Sequence, residues 1–489
     1  MPHRLSKSRY TAGVQCHKLL WWRVHEPNAR ELQPTKVLED RFNQGKQVGE
    51  LARQRFPGGV LVDLHHNAVE QRVARTRQLI ADEAPAIFEA TFLADNTRVD
   101  VDVLRREGKG FHFIEVKSSN SQKEEHLPDV AVQLHVLKQS GIQIAGAEVM
   151  HLNKECRFPD LTNLFQHADV TAAVEPLLGK VGWEIDAQLE MLDGPLPTVD
   201  IGLQCHEPYE CPFMERCWPK DPDHIMHLVG IGPKKGCTFM QSGVHRISDL
   251  SPNQKLNATQ KRQIRAMKET RIIVEPGLAE ALEVLEGKLG FLDFETIQRA
   301  VPVWPGMVPW EQAPAQFSYH VANGDGTYRH EEFLAEGPKD CRPDLVRKML
   351  AVTKSADKIA TYSHFERTKI QALQKAVPDL APELLELEHK LVDLLPIVKD
   401  NVHHPDFLGS FSLKYVLTPL VPDLTYDDLV IVDGLVASVE IARLLFVAGK
   451  IPQHEHDRVR RDLLNYCERD TWAMVRVLER LRELAGGRS

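Results

Sequence analysis

Apolar and polar residues alternate with a period of two along Thr97-Arg-Val-Asp-Val-Asp102-Val-Leu-Arg-Arg and again along Phe111-His-Phe-Ile-Glu115-Val-Lys117. That period predicts two strands, and the Gly-containing turn Glu107-Gly-Lys-Gly110 between them predicts a hairpin. A third alternating stretch, Leu289-Gly-Phe-Leu-Asp293-Phe-Glu295-Thr296, predicts a strand that sends Asp293 and Glu295 to one side. Ile359-Ala-Thr-Tyr-Ser-His364-Phe-Glu366-Arg-Thr-Lys-Ile reads as a strand running into a helix, with Glu366 near the helix start. Around Leu463-Leu-Asn-Tyr466-Cys-Glu-Arg-Asp470-Thr-Trp-Ala the pattern becomes that of a long amphipathic helix, on which Tyr466 and Asp470 share a face. The expected fold class is α/β.

A chain of 489 residues exceeds what one hydrophobic core usually supports, so two domains and a small third element are expected. The apolar share of 43% with 26% charged residues suits a soluble globular protein, and no apolar run is long enough to span a bilayer. The basic start leads to Cys16-His-Lys-Leu-Leu-Trp-Trp without a secretory pattern, which predicts a cytoplasmic location. A net charge of −9 does not advertise a nucleic-acid binder, yet metal-dependent nucleases concentrate carboxylates at the active site and bind backbone through local basic patches. Two candidate patches are Arg4, Lys7, Arg9, Lys18 and Arg23, and the helix-spaced Lys261, Arg262, Arg265, Lys268 and Arg271. Either reads equally well as a solvated face.

Three of the eight cysteines recur every six residues in Cys205-His-Glu-Pro-Tyr-Glu-Cys211-Pro-Phe-Met-Glu-Arg-Cys217, a turn-prone stretch that suits thiolates converging on one metal centre. Cys16, flanked by aromatic and basic residues, is the candidate fourth ligand. Four thiolates suit either a [4Fe–4S] cluster or zinc. Between Cys16 and Cys205 the predicted hairpin places Glu115 and Lys117 on one strand face, where they can meet Asp102. Two carboxylates would hold Mg2+, and the ammonium would orient water or offset charge developing on phosphate. Of the histidines, His224, His227, His403, His404, His454 and His456 are not paired with cysteines at ligand spacing and read as polar surface or loop residues.

Over residues 1–220 these features resemble the iron–sulfur members of the RecB-like PD-(D/E)xK nucleases, in which one cysteine precedes the nuclease core and three follow it. The resemblance implies a restriction-endonuclease-like fold stapled by a [4Fe–4S] cluster on Cys16, Cys205, Cys211 and Cys217. It also implies catalytic roles for Asp102, Glu115 and Lys117, and for Gln133 on the helix that follows. Asp100 competes for the aspartate role; Asp102 is preferred because apolar residues follow it. The chain departs from the family at Gly45-Lys-Gln-Val-Gly49-Glu50, where Gly stands at the position of a metal-binding His and Glu50 is the available substitute.

Residues 221–285 contain Leu228-Val-Gly230-Ile-Gly232-Pro-Lys234-Lys235-Gly236, similar to a helix-hairpin-helix turn that offers backbone N–H groups to a phosphate, or else a helical hairpin joining two domains. Over 286–489 the order of carboxylates resembles the DEDD exonucleases of the RNase H-like fold, in the subgroup with a Y-x-x-x-D motif. Asp393-Leu-Leu and Gly409-Ser-Phe-Ser412-Leu-Lys414 match further stretches of that subgroup, and Asp293-Phe-Glu295-Thr296 with Pro302-Val-Trp-Pro-Gly matches an uncharacterised bacterial domain family. The resemblance implies two-metal hydrolysis of phosphodiesters from a 3′ end, with Asp293, Glu295, Glu366 and Asp470 as ligands and Tyr466 orienting water. Glu366 departs from the usual Asp.

The expectation is therefore a Mg2+- or Mn2+-dependent nuclease acting on single-stranded DNA in repair, recombination or defence, with RNA an open alternative because 2′-OH discrimination depends on pocket geometry. Without a Gly-rich phosphate loop, any unwinding would fall to a separate helicase partner. A different class, an iron–sulfur nucleic-acid-binding or assembly subunit with one site or none active, predicts DNA binding without metal-dependent cleavage.

Overall fold

The computed structural model describes residues 3–447, 449 and 451–486. The chain forms two compact units: Met1–Trp218 with Arg299–Val303 and Val308–Trp310, and Pro219–Gln298 with Trp304–Met307 and Glu311–Ser489. Its architecture is mixed α/β, and among the described residues no helix is long and apolar enough to cross a membrane.

In the first unit β1 (Leu5–Ser6), β2 (Val60–Leu61), β3 (Ala86–Ala94), β4 (Thr97–Glu107), β5 (Gly110–Lys117), β6 (Ile144–Leu152) and β7 (Phe165–Asp169) build one sheet in the order β2-β3-β4-β5-β6-β7, with β1 beside β4. The hairpin read from alternation is β4–β5, antiparallel from Val103↔Ile114 to Glu107↔Gly110. Helices α1 (Lys7–Gln15), α2 (His17–His25), α3 (Lys36–Arg53) and α4 (Val69–Ala81) precede or flank it. β5 and β6 run parallel, so a crossover must join them, and α5 (His126–Gln139) serves. Val130, Val132, Val136 and Leu137 of α5 bury against Val101, Leu104, Phe113 and Val149, which brings Gln133 of the same helix over the hairpin. α6 (Thr171–Leu192) adds Val174, Val181 and Ile185 to this core, and the short α7 (Met214–Cys217) closes the unit's main segment.

Residues 221–285, the expected connector, cluster with the second unit. Their α8 (Gly232–Gln241), α9 (Ala258–Glu269), β8 (Ile273–Val274) and α10 (Leu278–Leu282) belong to that unit. Burial explains this: Arg262 is 6% exposed, pairs with Glu275 at 3.0 Å and donates to the carbonyls of Lys399 and Asp400. One member of the predicted basic patch is thus an internal brace.

The second unit is a three-layer sandwich. Its sheet contains β9 (Leu289–Gln298), β10 (Gln312–Ala322), β11 (Tyr328–Leu334), β12 (Lys358–Thr361) and β13 (Leu391–Asp393) in the order β11-β10-β9-β12-β13. The first three strands pair antiparallel and the last three parallel. Leu292, Phe294, Phe317 and Tyr319 point to one face, into a core with α11 (Arg342–Thr353), α12 (Phe365–Ala376) and α13 (Ala381–His389). Residues of opposite parity, including Gln316 and Ser318, face the long C-terminal helix and bond to its Leu463 and Thr471. Around that second face lie α14 (Leu394–Asn401), β14 (Val402–His403, paired with β8), α15 (Leu413–Leu420), α16 (Gly434–Phe446) and α17 (Gln453–Gly486).

Candidate active sites

In the second unit, strand parity turns Asp293 and Glu295 of β9 towards α17, whose Asp470 meets them. One carboxylate oxygen of each of these three residues lies within 4.8 Å of the other two. Glu366, second residue of α12, is 2% exposed, and its charge acts on Asp293. The turn that delivers it is clamped by Asp393, which caps α14 through the Leu395 N–H at 2.9 Å and accepts from the N–H of Ser363 at 2.8 Å. Ser363 holds φ at +108°, a conformation costly for a residue with a Cβ, so the predicted Asp-Leu-Leu stretch serves to support the site.

Four carboxyls so close must share protons or cations. Burial, then the nearby Asp470 and Glu366, push Asp293 well above the carboxylate range, and burial with Asp470 does the same to Glu295. Burial pushes Glu366 up to about 8. Asp470 rises only to about 6, because Tyr426 donates to its Oδ1 at 2.5 Å and Lys414 and Tyr466 add further support against burial. Lys414, from the predicted Ser-Leu-Lys stretch, donates to the Tyr466 hydroxyl at 3.1 Å and stands over both tyrosine rings. Sequence reasoning missed Tyr426. It sits in a polar loop without periodicity, fixed by the two 2.8 Å bonds from Arg469 to Asp428, and only the fold brings it to Asp470. The Cys467 thiol of the same helix lies 3.6 Å from Asp293 Oδ2.

The site opens into a cavity of about 680 Å3 whose walls include Tyr362, Ser412 and Lys414, and also Gly230 of the Gly-Ile-Gly turn. Gly230 and Gly232 hold φ at +66° and +65°, which is why the turn requires glycine.

In the first unit Asp102, Glu115, Lys117 and Gln133 also come together. The Val116 N–H donates to Asp102 Oδ2 at 2.7 Å, and Gln133 Nε2 donates to Glu115 Oε2 at 2.7 Å. Glu115 Oε1 receives two ammonium groups, Lys117 at 2.9 Å and Lys7 at 2.7 Å. Burial raises the Glu115 pKa, but Lys117 and Lys7 more than offset it and hold the group well below the usual range. Asp102 goes the other way, up to about 7, through burial and the Glu115 charge. Lys7, more than a hundred residues away in sequence and read only as part of a basic patch, is thus a site residue; Glu89, in β3 with φ +56°, adds its charge. Asp100 binds Thr91, Arg98 and Arg72 instead, and Glu50 lies exposed on α3.

Cys16, Cys205, Cys211 and Cys217 line one small cavity roofed by Trp22, Phe213 and Trp218. Burial and the three neighbouring cysteines push the Cys211 thiol up to about 11. Lys18 favours the Cys217 thiolate and Arg23 senses Cys211, so cations stand beside the thiols. Convergent thiols with apolar cover and nearby positive charge fit a four-thiolate metal centre. The loop between Cys205 and Cys211 is tied to α1, where Gln15 Nε2 donates to the Gln204 and Tyr209 carbonyls at 2.8 and 2.7 Å.

Residues 290–412 match a domain family of unknown function, DUF2779. The match includes Asp293, Glu295, Glu366 and Asp393 and ends before Tyr466 and Asp470. No functionally curated protein matches the chain. Among solved structures it is similar to the family B DNA polymerase of the hyperthermophilic archaeon Pyrobaculum calidifontis, at 16% identity and a TM-score of 0.28, over 40% of this chain and 25% of the polymerase. Spanning about a quarter of that polymerase, so slight a likeness carries no argument about activity.

Proposed function

We propose that the protein is a divalent-metal-dependent nuclease whose principal active site is the carboxylate cluster of the second unit. One observation carries the reading: the oxygens of Asp293, Glu295 and Asp470 crowd within 4.8 Å, with Glu366 buried beside them. Unit charges 4 Å apart repel by about 4 kcal/mol at the effective dielectric of a protein surface. The adjacent Lys414 is engaged with the Tyr466 hydroxyl. Asp293, Glu295, Glu366 and Asp470 would hold Mg2+ or Mn2+, which when bound polarises a phosphoryl group and acidifies water. Tyr466, steadied by Lys414, orients the attacking water, and Tyr426 fixes Asp470 as an acceptor. The Gly230 turn offers backbone N–H groups to a phosphate along the same cavity. The proposed substrate is single-stranded DNA, degraded from a 3′ end.

In the first unit we assign the four cysteines to a [4Fe–4S] cluster, and Asp102, Glu115, Lys117 and Gln133 to a second metal-nuclease site. Lys7 favours a different role for that unit, a clamp on nucleic acid, because its ammonium occupies the Glu115 oxygen that a cation would need. The deciding experiment is Mg2+- and Mn2+-dependent degradation of 5′- and 3′-end-labelled single-stranded DNA by anaerobically purified wild type, Asp293→Ala and Lys117→Ala. Loss with Asp293→Ala alone establishes the second-unit site and the clamp. Separable losses establish two nucleases, and DNA binding without cleavage by wild type sinks the enzyme reading.

A further inference from the structure

On the α17 side of the second unit's sheet, the structure assigns a second kind of metal site: a transition-metal site of the zinc class built from His320, His330 and Glu468. His320 on β10 and His330 on the edge strand β11 are direct cross-strand partners. One ring nitrogen of each and a carboxylate oxygen of Glu468 on α17 lie within 4.8 Å of one another.

The protons around the rings can be counted. Thr471 Oγ1 lies 3.0 Å from the Glu468 carbonyl, which only accepts, so the single hydroxyl proton of Thr471 goes there. Ser318 Oγ, 2.7 Å from Thr471 Oγ1, must then be the donor of that pair. With its proton used, Ser318 accepts from His330 Nε2 at 2.9 Å, and Thr471 accepts from His320 Nδ1 at 2.8 Å. Each ring then donates from the nitrogen beside its hydroxyl, which leaves His320 Nε2 and His330 Nδ1 for a metal, the latter 3.8 Å from Glu468 Oε1. Burial, with His330 beside it, lowers the His320 pKa to about 3, in keeping with a neutral ring. Two imidazole lone pairs, each set by a hydroxyl on the opposite nitrogen, and one carboxylate make a ligand set for zinc, with one position left open. Tetrahedral zinc places its ligand atoms roughly 3.3 Å apart, so His330 Nδ1 and Glu468 Oε1, now 3.8 Å apart, must close slightly. The half-exposed Glu468 side chain is free to supply much of that movement.

Such an ion would clip the edge strand to the turn of α17 that carries Tyr466 and Asp470. The site stands whether or not the nuclease reading holds. The test is zinc uptake by the full chain in millimolar Mg2+, followed by calorimetry and by metal analysis after dialysis, for wild type, His330→Ala, Glu468→Ala, Ser318→Ala and Asp293→Asn. Wild type and Asp293→Asn are expected to bind one more zinc per chain than Glu468→Ala, and His330→Ala to bind it at least tenfold more weakly. Ser318→Ala is expected to weaken it about 10–100-fold, as loss of an outer-shell partner does. Glu468 is exposed enough that its replacement leaves folding intact, and the wild-type-minus-Glu468→Ala difference spectrum with Co2+ should show ligand-field bands without a thiolate charge-transfer band. Equal zinc binding in wild type and Glu468→Ala, or loss confined to Asp293→Asn, overturns the assignment.

Discussion

The two carboxylate clusters solve one electrostatic problem in opposite ways. In the first unit Glu115 is buried against Lys7 and Lys117, so its charge is balanced by the chain itself and its pKa is held down. In the second, Asp293, Glu295 and Glu366 are pushed up because burial and one another's charges prevail. A site that carries its own counter-ions has little electrostatic need of a metal. One that does not stores repulsion that a cation releases, and an active site commonly trades stability for function in this way.

The sharpest way to break this contrast is to remove a ligand from each side. Asp293→Ala or Asp470→Asn should lower metal-dependent cleavage by at least 10²–10³-fold, the scale on which a transition-state electrostatic partner acts; residual rates near wild type would end the second-unit assignment. Glu115→Gln should instead act on folding. It leaves Lys7 facing a neutral amide while Lys117 keeps Asp129 as a partner, at a cost of about 1–3 kcal/mol that denaturant titration would register. Asp470→Asn should do the reverse and leave metal-free stability unchanged or raised.

A smaller effect is carried by pH. The folded-state pKa of Glu366, about 8, lies above its ordinary 4.5, so the folded chain holds that proton more tightly than the unfolded one. Its contribution to stability is complete below about 4.5 and is lost as pH rises through about 8. Metal-free wild type should therefore lose more stability between pH 5 and 8 than Glu366→Gln does, and saturating Mn2+ should abolish the difference. Smaller again is Lys7→Ala in an Asp293→Asn background. If Lys7 keeps the first site closed, Mn2+ affinity there should rise about tenfold, near 1.4 kcal/mol; a fall would make Lys7 a participant and restore two active nucleases.

Much of the scaffold was legible because periodicity reports local geometry. Alternation at 97–106, 111–117 and 289–296 marked the strands that hold Asp102, Glu115 and Asp293, and the four-residue step from Tyr466 to Asp470 marked a helix face. What could not be read depends on contacts that no local period encodes. Lys7 reaches Glu115 from another element, Tyr426 reaches Asp470 from an irregular loop, and His320 meets His330 only through the register of a hairpin. Arg262 belongs with them, since it looks like surface charge until Lys399 and Asp400 fold over it.

The short excursion of residues 299–303 and 308–310 into the first unit has a consequence for how this gene can be divided. Arg299 pairs with Asp40 at 2.8 Å, Ala300 and Val301 fill a core with Val48, Leu152 and Leu164, and the Trp310 indole donates to the Ser118 carbonyl. Ser118 directly follows Lys117, so part of the first site's foundation is encoded downstream of Asp293 and Glu295. A stop codon at the apparent boundary near 285 would deprive the upstream product of its own keystone. The two halves look separable in the sequence, yet the first is completed by residues that follow the first strand of the second.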